Sequence, residues 1–385
     1  MKYAPIAALS FIGLLTSVAG AQQSQPSSTA ELRAEIDALR ARLDQLDETT
    51  AERNRIEFSG DLRYRHETIN DDAAPGRNRH RIRARINLGA ELGDDLTVGI
   101  TLATGGSNPV SGNQSLDGGF TRKDIGFDRA FFAWDINEEL TLEGGKFGNP
   151  MFRPGGNHLI FDSDLNTEGL ALSYDGGGNG VFANIGGFWV EERSGGNDAI
   201  LYALQGGYRM MIGNGATLRV GGSVYNYQDT QGFIPFYLGN PQGNTLDGFG
   251  NLATDYDLVE LFAQVDLEAG GEPLRLFFDY VENTEANNFE TGFALGFRWR
   301  SASNPGDWEL GWSYEDLEAD AVIATFTDSD FGGGGTDAKG HILRGAYRLR
   351  DNVRLNGTYF INERGEAAGN PRDYDRLQLD INFMF

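Results

Sequence analysis

Residues 377–385, LQLDINFMF, alternate apolar and polar side chains, with Met384 as the one break in the pattern. A period of two is typical of a β-strand with one apolar face and one polar face. A transmembrane barrel has a use for such a strand, because its last strand must pair with its first and face lipid. In an edge strand of a soluble sandwich, the alternative, the same residues would invite aggregation. We expect the apolar set to face lipid and the polar set to face water: Leu377, Leu379, Ile381, Phe383 and Phe385 against Gln378, Asp380 and Asn382.

Composition agrees with a barrel and excludes some partners. The 385 residues include 53 glycines and no cysteine, and carry a net charge of −24. Beyond the first residues there is no apolar run long enough for a membrane helix, whereas barrel strands alternate and average out to polar. The lack of cysteine is compatible with an oxidising compartment but is weak evidence. The acidic balance argues against nucleic acid as a partner.

The first residues have the pattern of a secretion signal. Lys2 is followed by the apolar stretch AALSFIGLLTSVA and by the small residues Ala19-Gly20-Ala21. This order is that of a charged region, an apolar region and a cleavage site. We therefore predict a signal peptide over 1–21, a Gln/Ser/Thr/Pro-rich linker over 22–30 and a periplasmic helix over 31–53.

The predicted helix has apolar residues spaced alternately four and three apart, which is a heptad seam. A parallel coiled coil and a single amphipathic helix lying on another surface both fit this pattern, since three heptads are marginal for an isolated helix. The seam consists of Leu32, Ile36, Leu39, Leu43 and Leu46.

From residue 56 to residue 385 the alternation predicts an antiparallel all-β barrel of sixteen strands. In RIRARINLGAEL (81–92), for example, Ile82, Ala84 and Ile86 share one face while arginines share the other. We place the strands at 56–69, 79–92, 95–105, 124–136, 139–147, 167–175, 180–192, 198–212, 216–228, 256–268, 273–285, 289–300, 307–318, 338–350, 352–362 and 373–385.

The connections alternate in length. One set is short throughout, for example 93–94 and the Asp351-Asn352 turn. The other set is mostly longer: 70–78, 106–123, 148–166, 229–255 and 319–337, with shorter members near 193, 286 and 363–372. This is the asymmetry of short periplasmic turns and long extracellular loops in outer-membrane barrels. A barrel of 16–18 strands leaves an aqueous channel, so we predict passive diffusion of small polar solutes.

The third long connection, 148–166, is the candidate for narrowing that channel. It combines turn residues with an apolar part, Leu159–Phe161, and ends in acidic residues. Folded inward, it would lay the apolar part on the wall and face basic residues across the lumen, giving a transverse field. The alternative is that the acids decorate a surface loop and the arginines contact lipopolysaccharide or nearby carboxylates. The predicted acidic side is Asp162, Asp164 and Glu168, and the basic wall is Arg63, Arg65, Arg79, Arg81, Arg83 and Arg85.

The same region resembles a known family. GGKFGNPMF (144–152) and FDSDLNTEGLAL (161–172) are similar to the glycine-lysine, Asn-Pro-Phe and Asp-x-Asp-Leu-x-x-Glu-Gly stretches of the bacterial outer-membrane "putative porin" family. The usual Met-Pro-Asn-Pro-Phe order is replaced here by residues 147–152, FGNPMF. That family also carries a heptad helix after its signal peptide. Resemblance to general porins implies a homotrimer, and the C-terminus resembles their assembly signal, which would be Ile381, Phe383 and Phe385.

Other kinds of site are not supported by the sequence. Residues from Asp162 begin like a calcium loop, but Thr167 and Ser173 stand where glycine and glutamate are needed. The four histidines, His66, His80, His158 and His341, have no metal-ligand spacing. No hydrolase elbow or zinc motif occurs. We therefore predict no enzyme activity, no cofactor and no metal.

Three functions remain open: a general diffusion porin, a channel specific for an anionic or phosphorylated solute, and a structural tether between outer membrane and cell wall. The expected partners are outer-membrane lipid and lipopolysaccharide, the barrel assembly machinery, two further copies of the chain and small polar solutes.

Overall fold

The computed structural model describes residues 37–42, 55–213 and 215–385. Residues 37–42 are helical and include one seam residue, Leu39, which is exposed. The predicted signal peptide, the linker and the rest of the heptad helix lie outside the described residues, as do the seam residues Leu32, Ile36, Leu43 and Leu46. None of the helical segments in the described part has the length and apolar character needed to cross a bilayer.

The rest of the described chain is almost entirely β-structure. Sixteen long antiparallel strands form the barrel, which confirms the predicted number; a short additional strand, β4, lies within a loop. The strands are β1 (Ile56–Asp71), β2 (Ala74–Glu91), β3 (Leu96–Thr104), β4 (Gln114–Ser115), β5 (Ile125–Asn137), β6 (Leu140–Gly148), β7 (Asn166–Asp175), β8 (Gly180–Glu191), β9 (Ala199–Ile212), β10 (Ala216–Tyr227), β11 (Tyr256–Ala269), β12 (Glu272–Asn283), β13 (Thr291–Arg300), β14 (Trp308–Leu317), β15 (Ala338–Arg350), β16 (Val353–Arg364) and β17 (Arg372–Met384).

The last strand closes the barrel against the first. β17 pairs antiparallel with β1 in a register that sets Ile381 opposite Tyr64. At the end of the seam the Phe385 amide donates to the Gly60 carbonyl at 3.0 Å, and the Gly60 amide donates to the Phe385 carbonyl at 2.8 Å. Closure gives each of the sixteen barrel strands a neighbour on both sides, since a bilayer would not tolerate an open edge.

Closure fixes which face of each strand points inward. On β17, Leu379, Ile381 and Phe383 are exposed on the outer surface, whereas Gln378 and Asp380 are buried inside. This is the orientation that the alternation of residues 377–385 predicted. The same period of two governs every barrel strand, so the inward residues can be identified from the sequence once one strand is oriented.

The connections fall into two sets at opposite ends of the barrel. The short set comprises 92–95, 138–139, 176–179, 213–215, 270–271, 301–307 and 351–352. The other set comprises L1 (72–73), L2 (105–124), L3 (149–165), L4 (192–198), L5 (228–255), L6 (284–290), L7 (318–337) and L8 (365–371).

The prediction of a long first loop over 70–78 is wrong. β1 runs to Asp71 and β2 begins at Ala74, so the turn is only 72–73. Pro75 and Gly76 are residue types common in turns, but here they lie within β2 beside an irregularity in the ladder, between Ile69 and Asp71. Pairing resumes directly below them, and proline is tolerated at such a position.

We predict that deleting Phe385 lowers the yield of folded barrel. The deletion removes both backbone hydrogen bonds at the end of the β1–β17 seam and the ring that lies 6.0 Å from Phe58, centroid to centroid. The folded fraction can be measured as the heat-modifiable band on a gel after membrane assembly. Phe249→Ala is the control, because Phe249 lies in L5 and is 92% exposed. Equal folded fractions for the two variants would contradict the role given to the seam.

Candidate channel lining

L3 lies inside the barrel and is held there by side chains of the inner wall. The amide of Phe152 donates to Gln205 Oε1 at 2.6 Å, and Gln205 Nε2 returns a bond to the Phe152 carbonyl at 3.0 Å. The Gly155 amide donates to Gln264 Oε1 at 2.8 Å. Strands β9 and β11 thus satisfy backbone groups of a buried loop that would otherwise be unpaired.

A row of polar side chains supports this attachment. Asn184 Nδ2 donates to Gln205 Oε1 at 3.1 Å, and Gln205 Nε2 donates to Ser223 Oγ at 3.0 Å. The Ser223 hydroxyl in turn donates to Glu260. These residues come from β8, β9, β10 and β11 and all point inward. Because each bonds to its neighbour, the row can be buried without leaving polar groups unsatisfied.

The apolar part of L3 packs on the wall beyond this row. Leu159, Ile160 and Phe161 are buried in one cluster with residues of β10 to β12. The Phe161 ring lies edge-on to Tyr225, with centroids 5.3 Å apart. The barrel therefore contains an apolar core on one side of its interior, in the place where the sequence put Leu159–Phe161.

L7 is a second buried segment, which the sequence analysis took for an ordinary external loop. Residues 321–324 are buried in the same apolar cluster or beside it. L7 bonds directly to L3: the Asp162 amide donates to the Phe326 carbonyl at 2.8 Å, and the Thr327 hydroxyl donates to the carbonyls of His158 and Leu159 at 2.8 and 3.0 Å. L3 and L7 thus form one inner layer.

A repeated tripeptide could have indicated this pairing. Asp-Ser-Asp occurs in L3 as 162–164 and in L7 as 328–330. In both copies the first aspartate accepts the amide of the second, at 2.8 Å from Asp164 and 2.7 Å from Asp330. The Ser329 amide also donates to Asp162 Oδ2 at 3.0 Å. The two turns lie side by side, and both line one polar cavity.

The six predicted wall arginines all lie on the inner face of β1 and β2, but several do not face the loop acids across open space. Arg83 contacts Asp164 directly, with Nη1 to Oδ1 at 3.0 Å. Arg65 makes a bidentate pair with Asp380 at 2.7 and 2.8 Å and reaches Asp330 at 3.1 Å. The expected open field is therefore largely replaced by contact ion pairs, because buried charges are costly unless paired.

Three of the other four wall arginines are partly neutralised by acids of the wall itself, and the fourth, Arg63, donates to Asn113. Glu67 pairs with Arg79 and lies 3.6 Å from Arg81, and Asp61 pairs with Arg85 at 2.7 Å. Arg376, which the sequence analysis missed, bridges Glu67 and Asp330 at 2.7 and 2.6 Å.

The loop acids are electrostatically unlike one another. Burial raises the pKa of Asp162 to about 6. Burial would also raise the pKa of Asp164, but Arg83, Arg63 and Arg85 outweigh it and hold that pKa below its usual value. The pKa of Asp330 is likewise held far down, since Arg376 and Arg65 outweigh the effect of burial. In L3 the second aspartate is thus the firmly ionised one, whereas in L7 the pKa of the first aspartate, Asp328, is also lowered, because its contact with His158 outweighs burial.

Glu168 does not belong to the acidic side. It points outward from β7 and pairs with Lys146 at 2.7 Å. The reason is the strand period: Thr167, Gly169 and Ala171 take the inner face, so Glu168 must take the outer one. The prediction placed it by nearness in sequence, although β7 begins at Asn166.

Polar cavities remain between the basic wall and the inner layer. A cavity of about 390 Å³ opens near L1 and is lined by Arg77, Arg79, Arg81, Arg364 and Asp330 among others. Ser329 and Asp330 also line the next, of about 150 Å³, between both Asp-Ser-Asp turns and the wall. The Arg83–Asp164 pair separates that cavity from a third, of about 60 Å³. These three cavities therefore follow the arginines of the wall.

We predict that Gly155→Ala destabilises the inner layer. Gly155 has a φ of +62°, and an added Cβ would lie 2.2 Å from Phe277 Cδ1. Strain and clash together should lower the free energy of unfolding by about 1–3 kcal/mol, measured by denaturant titration of the folded protein in detergent. Gly178→Ala is the matched control, since its added Cβ meets nothing within 4 Å. Equal losses in both variants would refute the tight seating of L3.

Comparisons with known proteins agree with this architecture. A family model described as "Putative porin" matches residues 68–238 and 235–385. OprB of Pseudomonas putida, solved at high pH, superposes with a TM-score of 0.57 at 14% identity, covering 90% of this chain and 96% of that one. A triple mutant of the Rhodopseudomonas blastica porin gives a TM-score of 0.50 at 11% identity, covering 86% of this chain and 100% of that one. These identities establish a shared fold alone.

A comparison with curated protein sequences finds no match. The family model nevertheless spans most of the barrel, including L3 and L7. The chain therefore belongs to the "putative porin" family of bacterial outer-membrane porins: it is a channel-forming β-barrel and not an enzyme.

Proposed function

We propose that this porin lets small hydrophilic solutes and ions diffuse passively across the outer membrane of a Gram-negative bacterium, and that L3 and L7 together narrow its channel. The observation that carries this proposal is the Arg83–Asp164 pair. It joins the basic wall to L3 inside the barrel, and polar cavities lie on both sides of it.

The lining accounts for a preference for polar solutes. A solute passing the cavity of about 150 Å³ meets guanidinium and carboxylate groups from opposite sides. A polar solute can exchange its water for these groups, whereas an apolar one would desolvate them without compensation. Contact pairs such as Arg83–Asp164 weaken the transverse field but leave donors and acceptors along the route.

A second candidate is a channel that favours anionic or phosphorylated solutes. Arg63 and Arg344 line the same cavity, and within the described residues neither has a carboxylate oxygen within 4.0 Å. Arg63 donates to Asn113 Oδ1 at 2.6 Å and Arg344 donates to Ser313 Oγ at 2.9 Å. These two charges are not neutralised by a direct partner, so they would attract a passing anion.

The remaining elements of the proposal concern assembly. We propose export by the signal peptide 1–21, a linker at 22–30, a periplasmic heptad helix at 31–53 and a transmembrane barrel at 56–385. The barrel assembly machinery would recognise Ile381, Phe383 and Phe385 and insert the barrel into the membrane. The inserted barrel would contact lipopolysaccharide. A homotrimer is the proposed oligomer. A tether to the cell wall through the helix remains the alternative for that segment.

We predict stepwise conductance increments when the purified protein is added to a planar bilayer. Polar cavities along a charged wall should pass ions, and each inserted barrel or oligomer should add one step. Heat-unfolded protein is the control. If folded protein inserted without any conductance, both channel proposals would fail and the tether would gain support.

We also predict that Asp164→Asn shifts the reversal potential in a salt gradient toward anion selectivity. The substitution removes a carboxylate between two cavities and leaves Arg83 with Asp61 at 3.2 Å as its remaining partner. Arg63→Gln should shift the potential the opposite way. Glu168→Gln is the matched control, because Glu168 lies on the outer face. Identical potentials for Asp164→Asn and the unaltered protein would remove Asp164 from the proposed constriction.

A further inference from the structure

Three potential metal ligands from L3 and L7 meet where the two Asp-Ser-Asp turns touch. His158, Asp162 and Asp328 each offer an atom, and these atoms lie within 4.8 Å of one another. Asp162 and Asp328 are buried, with 5% and 4% of their surface exposed. The sequence predicted no metal site because these residues have no recognisable spacing along the chain. Only the pairing of L3 with L7 brings them together.

The cluster contains a buried imidazole nitrogen whose hydrogen-bonding capacity is not satisfied. His158 Nδ1 is buried and has no hydrogen-bond partner, yet it lies 3.5 Å from Asp328 Oδ2. The other oxygen of Asp328 already accepts the amides of Asp330 and Phe331, at 2.7 and 3.3 Å. An unprotonated imidazole nitrogen and a carboxylate oxygen can share only a cation, either a proton or a metal ion.

The separation fits a metal ion. Zinc binds histidine nitrogen and carboxylate oxygen at about 2.0–2.2 Å, so two ligands at a tetrahedral angle lie roughly 3.4 Å apart. The oxygens of Asp162 each accept one amide, from Asp164 and Ser329. Each oxygen therefore keeps a lone pair for a metal, since a carboxylate oxygen has two.

The surroundings leave room for such an ion. The three residues line the cavity of about 150 Å³, which offers space for water in the fourth position. Of the four arginines that line this cavity, Arg65 and Arg83 are engaged by other acids, Asp380 and Asp164. The other two, Arg63 and Arg344, donate to Asn113 and Ser313. Arg153, from L3 itself, donates to the Phe161 carbonyl at 3.1 Å.

We propose that His158, Asp162 and Asp328 bind a divalent cation of the zinc class, which clamps L3 to L7 beside the cavity of about 150 Å³. A mixed nitrogen and oxygen donor set with water in the open position suits zinc better than calcium, which prefers oxygen ligands only. The bound ion would add a polar link between the two halves of the inner layer, which are also joined by hydrogen bonds and by a shared apolar cluster.

The experiment is a calorimetric titration of the folded full-length protein in detergent with zinc chloride, and with calcium chloride in parallel. We expect one high-affinity zinc ion per chain and a weaker response to calcium. His158→Gln and Asp328→Asn should each weaken zinc binding at least about 100-fold. Loss of a direct ligand should reduce the affinity at least as much as loss of a residue that hydrogen-bonds to a ligand. His80→Ala is the matched control, because His66 and His80 lie 4.8 Å apart, centroid to centroid, on another part of the barrel.

Two results would overturn the proposal. One is the absence of zinc binding by the unaltered protein, which would leave a proton as the shared cation. The other is binding that is lost in His80→Ala but kept in His158→Gln. A gel-shift assay of folding accompanies each variant, and X-ray absorption at the zinc edge of the unaltered protein must show nitrogen and oxygen ligands. No step depends on conductance, so failure here is distinguishable from failure of the channel proposal.

Discussion

The whole molecule depends on backbone pairing around a closed ring of strands. In a bilayer a strand cannot leave its amides and carbonyls unpaired, and here β17 meets β1 along an eleven-pair register from Asp61↔Met384 to Asp71↔Tyr374. Once the ring is closed, the period of two determines which side chains of the wall face outward and which face inward. The apolar side chains face outward, and the arginines of β1 and β2 therefore face the interior.

Closure places polar and charged side chains in the interior, where they need hydrogen-bond or ion-pair partners. The two sides of the interior provide these partners in different ways. Where β8 to β12 line the lumen, a hydrogen-bonded polar row and an apolar cluster hold L3 and L7 in place. Where β1, β2 and β17 line it, arginines meet acids from the wall and from both Asp-Ser-Asp turns. The packed side is the scaffold, and the charged side contains the polar cavities.

Most of the fold could be predicted from the sequence because strand alternation is a local signal. The strand number and the faces of residues 377–385 followed from it directly. The length of L1 did not, since Pro75 and Gly76 look like turn residues although the ladder continues past them. Glu168 was misplaced for a simpler reason: its acidic neighbours belong to L3, but it already belongs to β7.

The inner layer was harder to predict because it depends on contacts between distant segments. The seating of L3 could be guessed from Leu159–Phe161, whereas the burial of L7 depends on its pairing with L3. The ion pairs of Asp330 with Arg65 and Arg376 join L7 to β1 and β17. These residues are far apart in the sequence, and their spacing does not predict the contacts. The repeated Asp-Ser-Asp tripeptide was the one feature of the sequence that indicated the pairing of L3 with L7. Its role becomes clear only in the structure, where both copies line one cavity.

The central claim, that solutes pass between the basic wall and the Asp-Ser-Asp turns, can be tested by chemical labelling of a channel in a bilayer. The chain has no cysteine, so Asp164→Cys introduces a single reactive thiol. A negatively charged methanethiosulfonate reagent added to open channels should reduce the single-channel current of Asp164→Cys, and should leave that of Glu168→Cys unchanged. Full current after complete labelling of Asp164→Cys would place the permeation route elsewhere and contradict the account.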